Sequence, residues 1–196
     1  MTSRTGRLGP ASIVIESLGA EDVVRHRPQL VTLLKDAVDS GASVGFLPPL
    51  AEAEGEAYWQ TVAGAVREGS CVLVVARDAG DGASGRGGEI VGTAQLLLAT
   101  RRNALHRAEV AKVIVHRKAR RRGIGRALML AVEERARRLG RTTLVLDTRQ
   151  GDPSERLYTA VGYHFAGAIP AYARSAGGAL DPSAFYYRLL IEGGQP

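Results

Sequence analysis

The sequence predicts a mixed α/β domain of the α+β type, with a central, mostly antiparallel sheet flanked by helices. Three observations carry this. Val- and Ile-rich segments of strand length alternate with segments whose apolar residues recur at helical spacing. Two strand segments are separated only by a Gly-rich stretch, as in a hairpin. One strand–helix–strand run, residues 108–148, has the form of a parallel crossover, for which right-handedness is the rule.

In chain order, residues 1–11 read as a flexible tail and 12–196 as a single domain. Ile13, Val14 and Ile15 mark a first strand over 12–18. Over 20–39, Val23, Leu30, Leu33, Leu34, Ala37 and Val38 recur with helical period, and Pro28 sits early in that helix or marks its true start. Gly41, Gly45, Pro48 and Pro49 make 40–50 a loop. Residues 51–67 form a second helix, with Ala57, Tyr58, Val62 and Val66 on one side, and Trp59 reads as core or rim packing. Strands follow at 70–77 and 89–100, joined by the Gly-rich turn 78–88, and a third at 108–116. A helix over 123–139 carries Ile124, Leu128, Ala131, Val132 and Leu139 on one face, and Gly140 ends it. Then come a strand at 142–148, a short helix from Asp152-Pro153 to about Val161, and a last strand pair at 163–169 and 184–191. The long Gly/Pro-containing segment 170–183 reads as the loop between them.

The composition narrows the function classes. With 196 residues, 45% of them hydrophobic and 23% charged, the chain can bury a sizeable core and is not disordered throughout. Its longest apolar run, residues 71–76, is far below the ~20 residues that span a bilayer, so no membrane helix is expected. The first ten residues lack the apolar stretch of a signal peptide. The lone Cys71, set in that apolar run, reads as a buried thiol and excludes an internal disulfide or a Cys-based zinc site. No His/Asp/Glu spacing suggests a metal. A soluble, cytoplasmic protein is the expectation, with a homodimer one assembly the sequence leaves open.

The net charge of +6 is unevenly spread: residues 1–100 carry 8 Lys/Arg against 12 Asp/Glu, residues 101–196 carry 18 against 8. The densest stretch, 101–126, has ten Lys/Arg and a single acid, Glu109. Such a cluster attracts polyanions, either as a nonspecific nucleic-acid patch or as the site of a phosphorylated cofactor. The glycines inside it favour the second. Val113, Ile114 and Val115 end a strand, Arg120, Arg121 and Arg122 follow, and Gly123-Ile124-Gly125-Arg126 opens an amphipathic helix. The first turn of a helix leaves backbone N–H groups unpaired at the positive end of its dipole, and glycines let a phosphate approach them. The run fits neither the dinucleotide pattern, since position 128 is Leu, nor a P-loop.

Arg120-x-x-Gly123-x-Gly125, after a strand and opening a helix, resembles motif A of the Gcn5-related N-acetyltransferase (GNAT) superfamily. Leu157-Tyr158-Thr159-Ala160-Val161-Gly162-Tyr163 is similar to that family's L-Y-x-x-x-G-F segment, with Tyr163 in place of Phe. The resemblance covers residues 12–191. It implies a GNAT-like fold, acetyl-CoA as co-substrate with its pyrophosphate held at the Gly123–Gly125 turn, and a pantetheine arm paired with the preceding strand. Segments 41–46, 107–112, 146–148 and 169–172 are similar to tabtoxin-resistance-type acetyltransferases, which acetylate the amine of a small toxin. The sequence departs from the family at Arg117 (often Pro), Arg121 (often Gly) and Gly151 (often Asn).

Transfer of an acetyl group to an amine requires that the ammonium lose a proton, since an alkyl ammonium has a pKa near ~10. Glu109, on the strand expected to hold the cofactor, is the first candidate base; Asp147, at the end of the next strand, is the second. Either residue has a plainer role open to it, neutralising arginines or capping a turn. Tyr158 is implied by the resemblance as the general acid toward the coenzyme A sulfur. A backbone N–H within 111–115 would meet the thioester carbonyl. His116 reads as support for the turn. The expected function is acetyl transfer from acetyl-CoA to the primary amine of a small molecule, an antibiotic or amino-acid-like toxin among the candidates. Two other readings stand beside it: a catalytically silent acyl-CoA sensor and a basic nucleic-acid-binding module. The second lacks interleaved aromatics, as 101–126 contains no Phe, Tyr or Trp.

Overall fold

A computed structural model describes residues 5–8 (by backbone course), 13–79 and 88–190. Eight strands, β1 (Thr5–Leu8), β2 (Ile13–Leu18), β3 (Cys71–Asp78), β4 (Glu89–Leu98), β5 (Arg107–Val115), β6 (Thr143–Arg149), β7 (His164–Arg174) and β8 (Leu180–Leu189), form one sheet in the order β1-β2-β3-β4-β5-β6-β8-β7. Every neighbouring pair is antiparallel except β5 and β6. Five helices complete the fold: α1 (Ala20–Arg25), α2 (Arg27–Asp39), α3 (Glu52–Arg67), α4 (Ile124–Arg138) and α5 (Ser154–Ala160).

β3 and β4 are buried on both faces, β3 at Cys71 and from Leu73 to Arg77 and β4 from Ile90 to Leu96. On one face, Ile124, Leu128, Met129 and Val132 of α4 pack on Val74, Val91, Leu96, Val110 and Leu144. On the other, α1–α3 bring Val23, Leu30, Leu34, Trp59 and Val62 onto Leu73, Val75, Ile90 and Ile114. Trp59 is fully buried, so it belongs to the core and not the rim. Cys71 is a buried thiol, as expected, and burial pushes its pKa up to about 12.

Several boundaries differ from the sequence reading. The helix over 20–39 is two helices, because His26 leaves helical geometry and Pro28 opens the second, where its missing N–H costs nothing. Thr5–Leu8, read as tail, forms β1 against β2; the pairing uses backbone groups and needs no apolar side-chain pattern. The segment 170–183 is not a long loop. β7 runs through to Arg174 and β8 starts at Leu180. Pro170 is tolerated because β7 is the outermost strand and the register slips between Ile169 and Ala173, with Ala171 at φ 52°. Most of the Gly-rich turn expected at 78–88, residues 80–87, lies outside the described residues.

Candidate active site

The site begins where the sheet comes apart. β5 and β6 are parallel neighbours only from Arg107↔Thr143 to Glu109↔Val145; beyond that step no pairing joins them. At the same place β5 slips against β4: Thr93 pairs with Ile114 but Gln95 with Ala111, so Lys112 and Val113 face Ala94 alone. This is a β-bulge, and it bends and twists its strand. Lys112 takes a left-handed φ of 50°, and the Thr93 hydroxyl donates to its carbonyl at 3.1 Å. The two strands therefore diverge and leave a wedge between them.

A cleft of about 680 Å³ fills that wedge. Val113, Ile114 and Val115 line one side, and Arg149, Asp152, Pro153, Ser154, Leu157 and Tyr158 the other. Arg120, Arg121, Gly123, Ile124, Gly125 and Arg126 form its end, so nine of the ten residues expected to hold the cofactor are brought to one cleft. Arg122 is the exception: its guanidinium turns to Asp78 at 2.7 Å. The turn before α4 needs two left-handed residues, Arg121 (φ 62°) and Gly123 (φ 75°), so Arg121 adopts the conformation that glycine often provides in the family it resembles. The first intrahelical bond of α4 runs from Ala127 N to Gly123 O at 3.0 Å, which leaves the earlier N–H groups ahead of it. A side chain at Gly123 would meet nothing within 4 Å, whereas a Cβ on Gly125 would stand 3.0 Å from Leu157 Cδ2. Gly123 thus borders open space, and Gly125 permits the close approach of α4 and α5.

Ion pairs hold the basic turn in place. Arg117 binds Asp36 through both its backbone N–H (3.0 Å) and its guanidinium (2.7 Å), and Lys118 reaches Glu89 at 2.8 Å. Burial alone would raise the Asp36 pKa, but these contacts hold it below the ordinary carboxylate value. Arg120 donates to Val115 O and Ser40 Oγ, each at 3.1 Å. His116 does support the turn: its Nδ1 accepts from Lys118 N at 3.3 Å. Arg117, Lys118 and Arg122 of the basic cluster are thus joined to acids of the chain's first half, while Arg120, Arg121 and Arg126 line the cleft.

A second chamber of about 300 Å³ adjoins the cleft; both are lined by Ala42, Val113, Asp152, Ser154 and Tyr158. Its walls hold Glu109, Asp147, Lys112 and Tyr172, with the loop from Ala42 to Gly45 across it. The three expected catalytic residues therefore meet here. Burial, reinforced by Asp147, raises the Glu109 pKa, and Lys112 and Arg107 oppose the shift. Tyr158 is almost wholly buried, and burial lifts its pKa to about 12 despite a hydrogen bond with Ser154. Its ring packs against Tyr163 and Tyr186, at centroid distances of 6.3 and 6.1 Å. Ser154 is in turn fixed by Thr148 Oγ1 at 2.9 Å and by Asp152 Oδ1, which accepts its N–H at 2.8 Å.

Three site residues escaped the sequence reading. Ser154 and Arg149 carry no local signal. Lys112 stood in the quoted 107–112 segment but was absorbed into the general basic cluster. Among the described residues no group of three or more His, Cys, Asp or Glu is placed to hold a metal, and no helix is long and apolar enough to cross a membrane.

The sequence profile of the Acetyltransferase (GNAT) family matches residues 33–163, and the chain belongs to that family of acetyltransferases. Among solved structures it is similar to a ribosomal-protein-alanine N-acetyltransferase from Brucella melitensis, at 23% identity over 90% of this chain and 99% of that one, with a TM-score of 0.71. An N-acetyltransferase from Staphylococcus aureus Mu50 superposes with a TM-score of 0.73 at 19% identity, over 92% of this chain and 100% of that one. A phosphinothricin acetyltransferase from Sinorhizobium meliloti, solved in complex with acetyl-CoA, gives 0.70 at 24% identity, over 94% and 92%.

Proposed function

We propose that this chain moves an acetyl group from acetyl-CoA to the primary amine of a small molecule, by direct transfer inside the chamber that adjoins the cleft. The observation that carries this is the position of Tyr158, which lines both spaces at once, with Glu109 and Asp147 lining the second. The residues fit acetyl-CoA: open space lies at Gly123, N–H groups of α4 precede its first internal bond, and Arg120, Arg121 and Arg126 surround the turn. Acetyl-CoA supplies the activated thioester; the protein's own groups do the rest. The amides from Gly123 to Arg126 bind the pyrophosphate, and Val113–Val115 align the pantetheine arm. A backbone N–H of the 111–115 stretch, where the bulge interrupts the pairing with β4, would polarise the thioester carbonyl.

Glu109 takes the proton from the acceptor ammonium, directly or through water, and Asp147 holds the amine in place or shares that task. Tyr158 stays neutral across the working pH range because burial raises its pKa, so its hydroxyl remains a proton donor to the departing thiolate. Resemblance to tabtoxin-resistance-type enzymes, together with the phosphinothricin acetyltransferase among similar structures, supports an antibiotic or amino-acid-like toxin as acceptor. A catalytically silent acyl-CoA sensor is disfavoured by the two carboxylates and the phenol converging on one chamber.

Calorimetric titration with acetyl-CoA, followed by thiol release over a panel of primary amines, tests the reading. Saturable binding and amine-dependent thiol release are expected. Absence of binding at millimolar acetyl-CoA overturns it; binding without release from any amine leaves the sensor instead.

A further inference from the structure

We infer that Lys112 is a specificity-determining residue: it receives an anionic group on the acceptor while Glu109 and Asp147 face the acceptor's amine. The inference rests on the chamber being the acceptor site. It goes further in assigning the acceptor a second charge and naming the residue that reads it.

The first ground is where the lysine sits. Lys112 occupies the bulge, at a left-handed φ that a non-glycine residue keeps only where its surroundings impose it. Thr93 and the register slip hold it. The side chain then lines the chamber together with Glu109 and Asp147.

The second ground is what surrounds its ammonium group. Nζ lies 5.7 Å from the ring centroid of Tyr58 and 6.0 Å from that of Phe46, and those rings meet edge to face at 5.2 Å. The Tyr58 hydroxyl is already engaged, accepting from Gln95 Nε2 at 2.7 Å. Gly45 approaches so closely that a Cβ there would stand 3.4 Å from Nζ. Aromatic faces and a glycine backbone hold a cation in position without neutralising it. Among the described residues Lys112 forms no ion pair within 4.0 Å, although Glu109 and Asp147 are close enough to act on it through space.

The third ground is the chemistry this arrangement selects. One small chamber presents three carboxylates; Asp152 is engaged by Arg149 and the Ser154 N–H, which leaves Glu109, Asp147 and one ammonium that are not joined to each other. An acceptor with a single positive charge would satisfy the carboxylates and leave the partly desolvated lysine without a close anion. An acceptor that also carries a carboxylate, phosphinate or phosphate satisfies both poles. Burial lowers the Lys112 pKa, and the two carboxylates oppose that shift; a bound anion would oppose it further.

The test compares 2-aminobutyrate, 4-aminobutyrate and 6-aminohexanoate, each against its own carboxamide, in steady-state acetylation and in calorimetric binding to the CoA-loaded protein. At least one acid is expected to exceed its amide in kcat/KM by on the order of 10- to 100-fold, the effect of one charge-assisted hydrogen bond. Lys112→Met abolishes that acid-to-amide ratio, chiefly through KM, and Lys112→Arg retains part of it. Equal treatment of acid and amide by the parent protein overturns the inference, and so does an acid-to-amide ratio unchanged in Lys112→Met. The binding arm separates this from the enzymatic reading. Lys112-dependent binding of an acid without any turnover would sink acetyl transfer yet keep the anion site; turnover of acids and amides alike would do the reverse.

Discussion

Glu109 pairs with Val145 at the last step that joins β5 to β6, and this places Asp147, two residues further along β6, on the same sheet face as Glu109. The two carboxylates therefore face one chamber from strands that are about to part. Burial and, after it, Asp147 raise the affinity of Glu109 for a proton, and Lys112 acts against that shift. The consequences can be measured.

Because the folded protein raises the Glu109 pKa, its base form is gained at higher pH than for an ordinary carboxylate. The acidic limb of kcat/KM should lie correspondingly high, measured with an amine that bears no anion. Asp147→Asn removes one raising cause and moves that limb to lower pH. Lys112→Met removes a lowering cause and moves it to higher pH. Glu109→Gln should remove it; a profile identical to the parent's would assign the base to Asp147 or to water.

Tyr158→Phe deletes the proposed proton donor and the hydrogen bond to Ser154 while keeping the ring between Tyr163 and Tyr186. A loss of about 10²–10⁴ in kcat is expected, with a much smaller change in acetyl-CoA affinity. Single-turnover kinetics beside calorimetry would expose the alternative, a loss confined to binding.

Gly125→Ala would push its Cβ toward Leu157 Cδ2, and Leu157 lines the cleft. Acetyl-CoA affinity should fall several-fold. Adding Leu157→Ala makes room and should restore part of it, a non-additive cycle readable by titration.

Glu133 of α4, 1% exposed, receives Arg188 Nη1 of β8 at 3.0 Å. Burial raises the Glu133 pKa, and Arg188 is the foremost group opposing that. A raised folded-state pKa means the folded form binds a proton more readily than the unfolded chain, so stability falls as pH rises through the interval between the two values. Arg188→Met widens that interval. Its cost should reach about 3–5 kcal/mol at pH 8, where the carboxylate is ionised, and shrink toward pH 5. Denaturant melts at both pH values would show it; a cost equal at both would mean that Arg188 acts by packing alone.

Residues that signal locally could be read without the structure. A Val/Ile strand, a basic turn and Gly-x-Gly ahead of an amphipathic helix all lie within one stretch of chain, and Leu157–Tyr163 adds a second local pattern. Long-range features could not be read this way. The slip that turns Lys112 into the chamber depends on how β5 pairs with β4, and the diversion of Arg122 to Asp78 on a partner far along the chain. The 170–183 segment misled for a different reason: Gly and Pro signal turns by composition, but an outermost strand accommodates a proline at a bulge.

The acids that hold the basic turn, Asp36, Asp78 and Glu89, all precede it in the chain, and this gives the contacts an order in time. During synthesis these carboxylates leave the ribosome first and are already waiting when Arg117, Lys118 and Arg122 emerge. The basic turn therefore docks onto carboxylates that α2, β3 and β4 already carry, so its counter-charges never have to come from chain still unmade.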